Sequence, residues 1–446
     1  MLTEPQARKL TAAVLAAGKK LAKDAALSVS MDSGRAANTR FARSEITSTG
    51  DVDDTTLTVG VGFGKRHAQA STNQTDAPAL LSVLQRAIAM ARLAPEDPEL
   101  MPLLGPQKYA STPPGFDRAT AELPASARAE AAHAAIAAAD AAKVDLAGFH
   151  DLRGAATALA NSAGLFAYHA ATGVSFTCTA RTPDGTGSGW GQGYANRWSD
   201  LDTVAAAKVA IDKSVAARRP RKLDPGRYTV VLEPAAVGDL LYFLVSALDA
   251  RRADEGRSFF SRQGGGTRVG EQLWGPHITL RSDPASKLMP SAPFDGEGLP
   301  QRPITWIDKG KIAALRYSRF WAEKQGQRPT AAPSVTELAG GDATPEALLA
   351  GVKRGVLITR FWYNRWVDPQ SILITGLTRD GVFLIEDGKV VAPVNNFRYN
   401  ESPVKMLKNA DALGKDAVRL ATADGRMRVP ALRTHEFNLA STSDAV

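Results

Sequence analysis

Tyr228 to Leu232 (YTVVL) leads through Pro234 straight into a helix so apolar that any fold of this chain must bury it. The β-branched run reads as a strand. Pro234 stands where the first turn of a helix tolerates a residue without an N–H. Val237, Leu240, Leu241, Leu244, Val245 and Leu248 then recur at three- and four-residue spacings, and the pattern runs to about Arg252 before Asp254 and Gly256 stop it. The spacing therefore predicts one buried helix at about 234–252. Gln263-Gly264-Gly265-Gly266 follows it; an anion nest is conceivable there, but a turn ahead of the strand in PHITL is the preferred reading, with His277 a structural group at that strand's start.

A chain of 446 residues with 44% hydrophobic content can hold two or three cores, and 38 Gly with 26 Pro imply many turns and a substantial β fraction. The balance of 54 basic and 46 acidic residues, +8, is mild and spread along the chain; Arg218-Arg219-Pro220-Arg221-Lys222 is a local cluster without interleaved aromatics, so nucleic acid is not an expected partner. Cys178 is the only cysteine, which excludes an internal disulfide and fits a reducing compartment; in VSFTCTAR it reads as a small buried hydrophobe. No run approaches the ~18 to 20 apolar residues of a membrane span, and the N-terminus shows no signal-like apolar region, so a cytoplasmic protein is expected.

Along the chain, helices are predicted at Pro5–Lys23, Pro78–Leu93, Ser126–Lys143 and Leu201–Ala217. Strands are expected at Leu27–Met31 and over the alternation Leu57, Val59, Val61, Phe63, giving an antiparallel meander. Pro95 to Pro114 reads as a surface connection, and DGTGSGWGQG (184–193), which lacks a phosphate loop's Lys-Ser/Thr, as a hairpin tip. In the last third, Thr344 and Pro345 open a helix, Val356–Phe361 and Ser371–Thr375 are strands, and Lys309-Gly310 and Asp387-Gly388 sit at hairpin bends. Pro403–Leu413 is predicted as a helix closed by Gly414, and a last strand starts near Pro430. The domain boundary is placed near Pro220–Pro225, giving 1–220 and 221–446.

The order of VVLEPAAVGDLLYFLVSAL, EGRSFFSRQGGGTRVGEQLW and HITLRSDP resembles the central segment of the TldD/PmbA family. The run from Asn38 through Arg40, Phe41, Ala42 and Ser44 to Ile46 is similar to the family's N-terminal signature, Asn161-Ser162-Ala163-Gly164 to its Asn-Ser-x-Gly turn, and FLIEDGK (383–389) to its Ile-Glu-x-Gly-Lys hairpin. The resemblance implies an α+β fold: an N-terminal α/β-type domain with antiparallel strands and a C-terminal domain on a curved antiparallel sheet. In the family's catalytic branch the helix after the strand carries His-Glu-x-x-x-His, two zinc ligands and a proton acceptor. In register those positions are Tyr242, Phe243 and Ala247, none of which ligates zinc or relays a proton, and no Cys after Cys178 supplies the further ligand. The six histidines are never closer than 17 residues in sequence; a composite site from distant ones is the residual possibility.

That departure matches the PmbA (TldE) branch. What it implies is a non-catalytic subunit of a zinc metallopeptidase acting on unfolded peptides or peptide precursors, with no cofactor of its own, zinc in a TldD-like partner bearing His-Glu-x-x-x-His, and a hollow heteromeric assembly. Candidate peptide- or partner-facing residues are Arg40, Ser44, Arg316, Tyr317 and Arg319. Arg40 either lines the assembly's interior or is satisfied by local carbonyls. Arg316 to Trp321 is either an exposed strand edge for an extended peptide or an aromatic core cluster. The alternatives are a peptidase active by itself through an unrecognised site and a stand-alone peptide-binding protein.

Overall fold

A computed structural model of the chain describes residues 1–421 and 426–443. In its first half the elements are α1 (Glu4–Leu21), β1 (Ala26–Ala42), β2 (Glu45–Phe63), β3 (Arg66–Thr72), α2 (Ala77–Leu93), the single turn α3 (Arg118–Ala121), α4 (Ala125–Ala141), β4 (Asp145–Asn161), β5 (Phe166–Arg181), β6 (Ser188–Ala195) and α5 (Thr203–Ala216). The strands form one six-stranded sheet in the order β3-β2-β1-β4-β5-β6, antiparallel throughout. The odd residues of β1 show how it is covered. Val29 packs in the cluster that holds Val14 of α1 and Leu84 of α2, Met31 meets Ala7, and Phe41 joins Ile136 of α4 and Ile211 of α5. The four long helices α1, α2, α4 and α5 thus lie on one face, in two pairs. The even residues, among them Ser28, Ser30, Asp32, Asn38 and Arg40, point to the other face, which no helix covers among the described residues.

The meander is longer than the expected strands. The strand expected at Leu27–Met31 runs on to Ala42, and Gly34 is needed there because a Cβ would stand 2.4 Å from the carbonyl oxygen of Gly154 on β4. The stretch 184–193 is a hairpin tip only in its first part: the turn of the β5–β6 hairpin closes between Thr182 and Gly187, and from Ser188 the chain is an edge strand under α5. A Cβ at Gly191 would meet the Ala206 carbonyl oxygen at 2.0 Å, so these glycines let a helix lie directly on a strand. Cys178 is buried on β5, which pushes its thiol up to about 12.

The second half contains β7 (Gly226–Leu232), α6 (Pro234–Ser246), α7 (Ala250–Asp254), β8 (Leu280–Ser282), β9 (Ile304–Asp308), β10 (Lys311–Ile312), α8 (Arg319–Lys324), β11 (Thr336–Leu338), α9 (Pro345–Ala350), β12 (Arg354–Asp368), β13 (Leu373–Glu386), β14 (Lys389–Pro393), β15 (Asn396–Glu401), α10 (Pro403–Lys408), β16 (Ala410–Leu413), β17 (Val418–Arg419), β18 (Met427–Val429) and β19 (Leu432–Ser443). The curvature of the expected sheet goes to closure: β7 pairs with β19, β19 with β15, β15 with β13, β13 with β12, and β12 returns to β7. All of these pairings are antiparallel except β7–β12, which is parallel. A second sheet of short strands runs β10-β9-β8-β11-β18-β17. Between the two sheets lies α6, with Leu240, Leu241 and Leu244 fully buried. The bends at Lys309-Gly310 and Asp387-Gly388 have positive φ at both residues, as hairpin turns of their type require.

Two predicted helices are shorter. The helix at about 234–252 breaks after Ser246, because Leu248 and Ala250 exchange backbone hydrogen bonds with Arg316 and the Asp249 carboxylate caps α7 by accepting from the Arg252 N–H. The stretch 403–413 ends its helix at Lys408, and Ala410–Leu413 instead pairs with β19. Among the described residues no helix is long and apolar enough to cross a membrane.

Candidate functional site

Because α6 starts at Pro234, directly after β7, its last turn carries the three positions of interest: Tyr242, Phe243 and, as C-cap, Ala247. Tyr242 is 60% exposed; Phe243 and Ala247 are buried in the main core. The Phe243 ring meets Tyr242 edge-on at 5.5 Å and Trp366 of β12 edge-on at 5.1 Å, so the end of the helix is an aromatic seam. A phenol, a benzyl ring and a methyl group are the side chains present, and this donor set does not fit a zinc ion. Among the described residues no three His, Cys, Asp or Glu side chains gather closely enough to hold a metal ion.

One turn earlier on α6, Asp239 accepts a hydrogen bond from the Phe361 N–H at 2.9 Å. Protein surrounds the carboxyl although part of the residue reaches the surface, and this desolvation pushes it up to about 7, against the opposing pull of the Phe361 amide and Arg360. The sequence gives a signal for this group, a lone acid at position 239 of an otherwise apolar helix, but none for its environment.

A cleft of about 850 Å³ separates the open polar face of the N-terminal sheet from the second half. Ser28, Ser30, His67 and Gln69 line it from the sheet, and Glu297, Arg319 and Phe320 from the other side. The connection across residues 97–104 forms its floor and is tied to the second half: Glu99 accepts two hydrogen bonds from Arg251, at 2.7 and 2.8 Å. Arg319 donates to the Pro102 carbonyl at 2.5 Å and pairs with Glu297 at 3.1 Å. β3, with His67 and Gln69, is the last strand of its sheet beside this cleft, and its start is bridged to the connection through Arg66 and Glu96. His67 and Gln69 are polar residues on a strand that sequence patterning passes over.

The five candidate residues are not brought together. Arg319 lies in the cleft, while Arg316 pairs with Asp249 at 3.2 Å beside a separate cavity of about 300 Å³. Tyr317 packs partly buried against the core. This segment is not a strand edge: Ser318 caps α8 by accepting from the Trp321 N–H, and Trp321 is buried and donates to Asp254 at 2.7 Å, so the aromatic-cluster reading holds. Arg40 is exposed on the open sheet face; its carbonyl accepts from Thr47 Oγ1 at 3.2 Å, and its side chain makes no hydrogen bond or ion pair among the described residues. Ser44 has φ +57° in the β1–β2 turn and exchanges hydrogen bonds with the backbone of Leu146, a structural tie. His277 likewise contacts the Ala410 carbonyl at 2.9 Å.

One further constellation is legible only in three dimensions. Thr229 Oγ1 lies 3.0 Å from His435 Nδ1, whose Nε2 lies 3.0 Å from Asp411 Oδ2, and Arg433 holds that carboxylate with two hydrogen bonds. The three are spread on strands with His435 40% exposed, and they line none of the cavities above.

Comparison with known proteins agrees with this architecture. The model of the PmbA/TldA metallopeptidase C-terminal domain matches residues 225–441, and that of the central domain matches residues 118–218, together well over half of the chain. A protein named Metalloprotease from Methanothermobacter thermautotrophicus is 24% identical over 279 residues, 58% of this chain and 60% of that protein, so the match spans less than two thirds of the relative's length. Among solved structures, TldE from Thermococcus kodakarensis superposes with a TM-score of 0.87 at 19% identity, covering 97% of this chain and 100% of that one. A protein described as a candidate modulator of DNA gyrase from Thermotoga maritima gives 0.85 at 18% identity, covering 97% and 99%. At these identities the superpositions establish the mixed α+β fold, and the family models establish descent: the chain belongs to the PmbA/TldD metallopeptidase family.

Proposed function

We propose that this chain is a non-catalytic PmbA/TldE-like subunit of a zinc metallopeptidase that degrades unfolded peptides or processes peptide precursors. One observation carries the reading. The helix end that bears the zinc motif in catalytic members of the resembled family is here an aromatic seam of Tyr242, Phe243 and Trp366, closed by the buried Ala247. Metal and proton transfer would then belong to a TldD-like partner with His-Glu-x-x-x-His, and this chain would supply the wall of the chamber and the surface the partner grips. The cleft between its halves, bordered by the terminal strand β3, is suited to an extended peptide.

The test is hydrolysis of a labelled unstructured peptide by this chain, by the partner, and by the two titrated together. Activity that appears on mixing and saturates at a fixed ratio is the expected result. Full activity from this chain alone, abolished by chelation, overturns the reading. The Thr229, His435 and Asp411 alignment favours one alternative, a peptidase acting by itself without metal. That reading requires chelator-resistant hydrolysis by the isolated chain that His435→Ala removes.

A further inference from the structure

The cavity of about 300 Å³ beside Arg316 is walled from three parts of the second half. Val245, Ser246 and Leu248 reach it from the end of α6, Trp306 from β9, and Ala332 and Pro333 from the connection before β11. Trp306 is buried and spends its indole N–H on Ser282 Oγ at 2.8 Å, so what it offers the cavity is an apolar ring. The wall opposite the helix is tied from outside: the Ala332 N–H donates to Asp295 Oδ2 at 3.2 Å, and the Ala332 carbonyl accepts from Gln301 Nε2 at 2.5 Å. Anchored backbone therefore frames the space on both sides.

Charge at this cavity is confined to one residue. Arg316 is the only ionisable group lining it among the described residues, and its Nη2 pairs with Asp249 Oδ2 at 3.2 Å, while Oδ1 of the same carboxylate accepts from the Arg252 N–H. The pair leaves no net charge at the mouth, so a carboxylate or ammonium side chain would not recover there what it loses on leaving water. A guanidinium carries five N–H donors in a planar fork, and only the one aimed at Asp249 has an acceptor among the described residues. The Arg316 backbone is locked as well: its N–H donates to the Leu248 carbonyl at 3.0 Å and its carbonyl accepts from the Ala250 N–H at 2.9 Å. Open donors thus stand at a fixed place over an apolar hole. Ser246 is exposed and Arg316 half-exposed, so the mouth faces solvent, and Tyr242 lies one turn before Ser246 on the same side of α6.

An apolar side chain with an unpaired main-chain carbonyl next to it matches both features. A folded protein buries the first and hydrogen-bonds the second, so unfolded chain is what displays them together. We propose that this cavity is a recognition pocket for one uncharged apolar side chain, of leucine size or larger, in an unfolded peptide whose neighbouring main-chain carbonyl accepts from Arg316. It rests on the peptide-processing reading above and sharpens it: the subunit would hold an unfolded segment by one apolar residue without cleaving it.

The experiment uses the full isolated chain and four probes, acetyl-Ala-X-Ala-amide with Leu, Ala, Glu or Lys as X. Binding is followed by tryptophan fluorescence, to which Trp306 contributes, and by saturation-transfer NMR, in which the Leu methyl signals should take up magnetisation most strongly. The Leu probe should bind at least roughly tenfold more tightly than the Ala probe, the scale expected for burying its additional carbons, and the Glu and Lys probes no more tightly than Ala. Ala332→Leu puts a side chain into the empty space while keeping the backbone ties of residue 332, and should weaken binding of the Leu probe at least roughly tenfold. Arg316→Gln should weaken it roughly three- to tenfold. Ala332→Leu removes no ion pair, so it tests the pocket even if Arg316→Gln fails to fold. Equal affinity for Leu and Ala, a charged probe that binds as tightly as Leu, no binding by any probe, or Leu binding unchanged in every variant that folds overturns the proposal. No partner or cleavage enters the measurement, so such a result leaves the subunit reading standing, and failure of the subunit assay leaves this one interpretable.

Discussion

Asp239→Asn separates a sealed helix end from a solvated one. In the folded chain the Asp239 carboxyl is pushed up to about 7 from its ordinary 3.8, chiefly by burial. A tenfold difference in proton affinity corresponds to about 1.4 kcal/mol, so keeping this group ionised in place costs the fold up to about 4 kcal/mol. The sign follows from the raised value. The folded state binds the proton more tightly than the unfolded one, so the penalty is absent below about pH 4, grows as the pH rises toward 7, and is flat above. An asparagine keeps an oxygen to accept from the Phe361 N–H and carries no charge. The variant should match the parent near pH 4 and exceed it by up to about 4 kcal/mol at pH 8. Urea unfolding of both proteins at those two pH values, followed by tryptophan fluorescence, makes the comparison. A stability difference that does not grow with pH, or one of opposite sign, would show that Asp239 titrates as a solvated carboxylate and that the end of α6 is open to water.

Other outcomes follow from the same geometry. Phe243→Ala removes a buried ring packed on Trp366 and should cost about 3–5 kcal/mol, whereas Tyr242→Ala, at 60% exposure, should cost less than about 1 kcal/mol; both are read from unfolding midpoints. His150 is buried between Phe176 and Trp198, with neither ring nitrogen hydrogen-bonded, and burial first, then Arg128, pulls it from 6.5 to about 4. Its folded value lies below the unfolded one, so the stability it permits is complete above pH 6.5 and falls by about 3 kcal/mol as the pH drops toward 4. His150→Phe should flatten that acid limb in a melting-temperature series from pH 4 to 7, and an unchanged limb would count against it.

The apolar face of α6 was legible because six large residues repeat at helical spacing, and a helix so apolar has only a core to go to. Its break was not read, although Asp249 followed by a short basic turn is a helix-start signal, because the apolar period carries on through Leu248. Closure of the barrel lay beyond sequence patterning, since Thr229 to Leu232 pairs in parallel with Gly355 to Ile358 across a separation in sequence that no periodicity spans. The length of β1 is not legible for a related reason: just past Met31 its residues are small and polar, and only the approach of Gly34 to Gly154 on β4 shows why the strand carries a glycine there. Of the site, what could be read was the chemistry missing at Tyr242, Phe243 and Ala247. The cleft is assembled from segments far apart in the chain, so no local pattern announces it.

The central claim is that this chain takes part in a metallopeptidase without holding its metal. Zinc content and peptide hydrolysis of the chain purified alone, measured on the same sample, test it most directly. The account predicts no stoichiometric zinc and no cleavage until a His-Glu-x-x-x-His partner is added. Stoichiometric zinc in the isolated chain, together with cleavage that chelation abolishes and zinc restores, would contradict it.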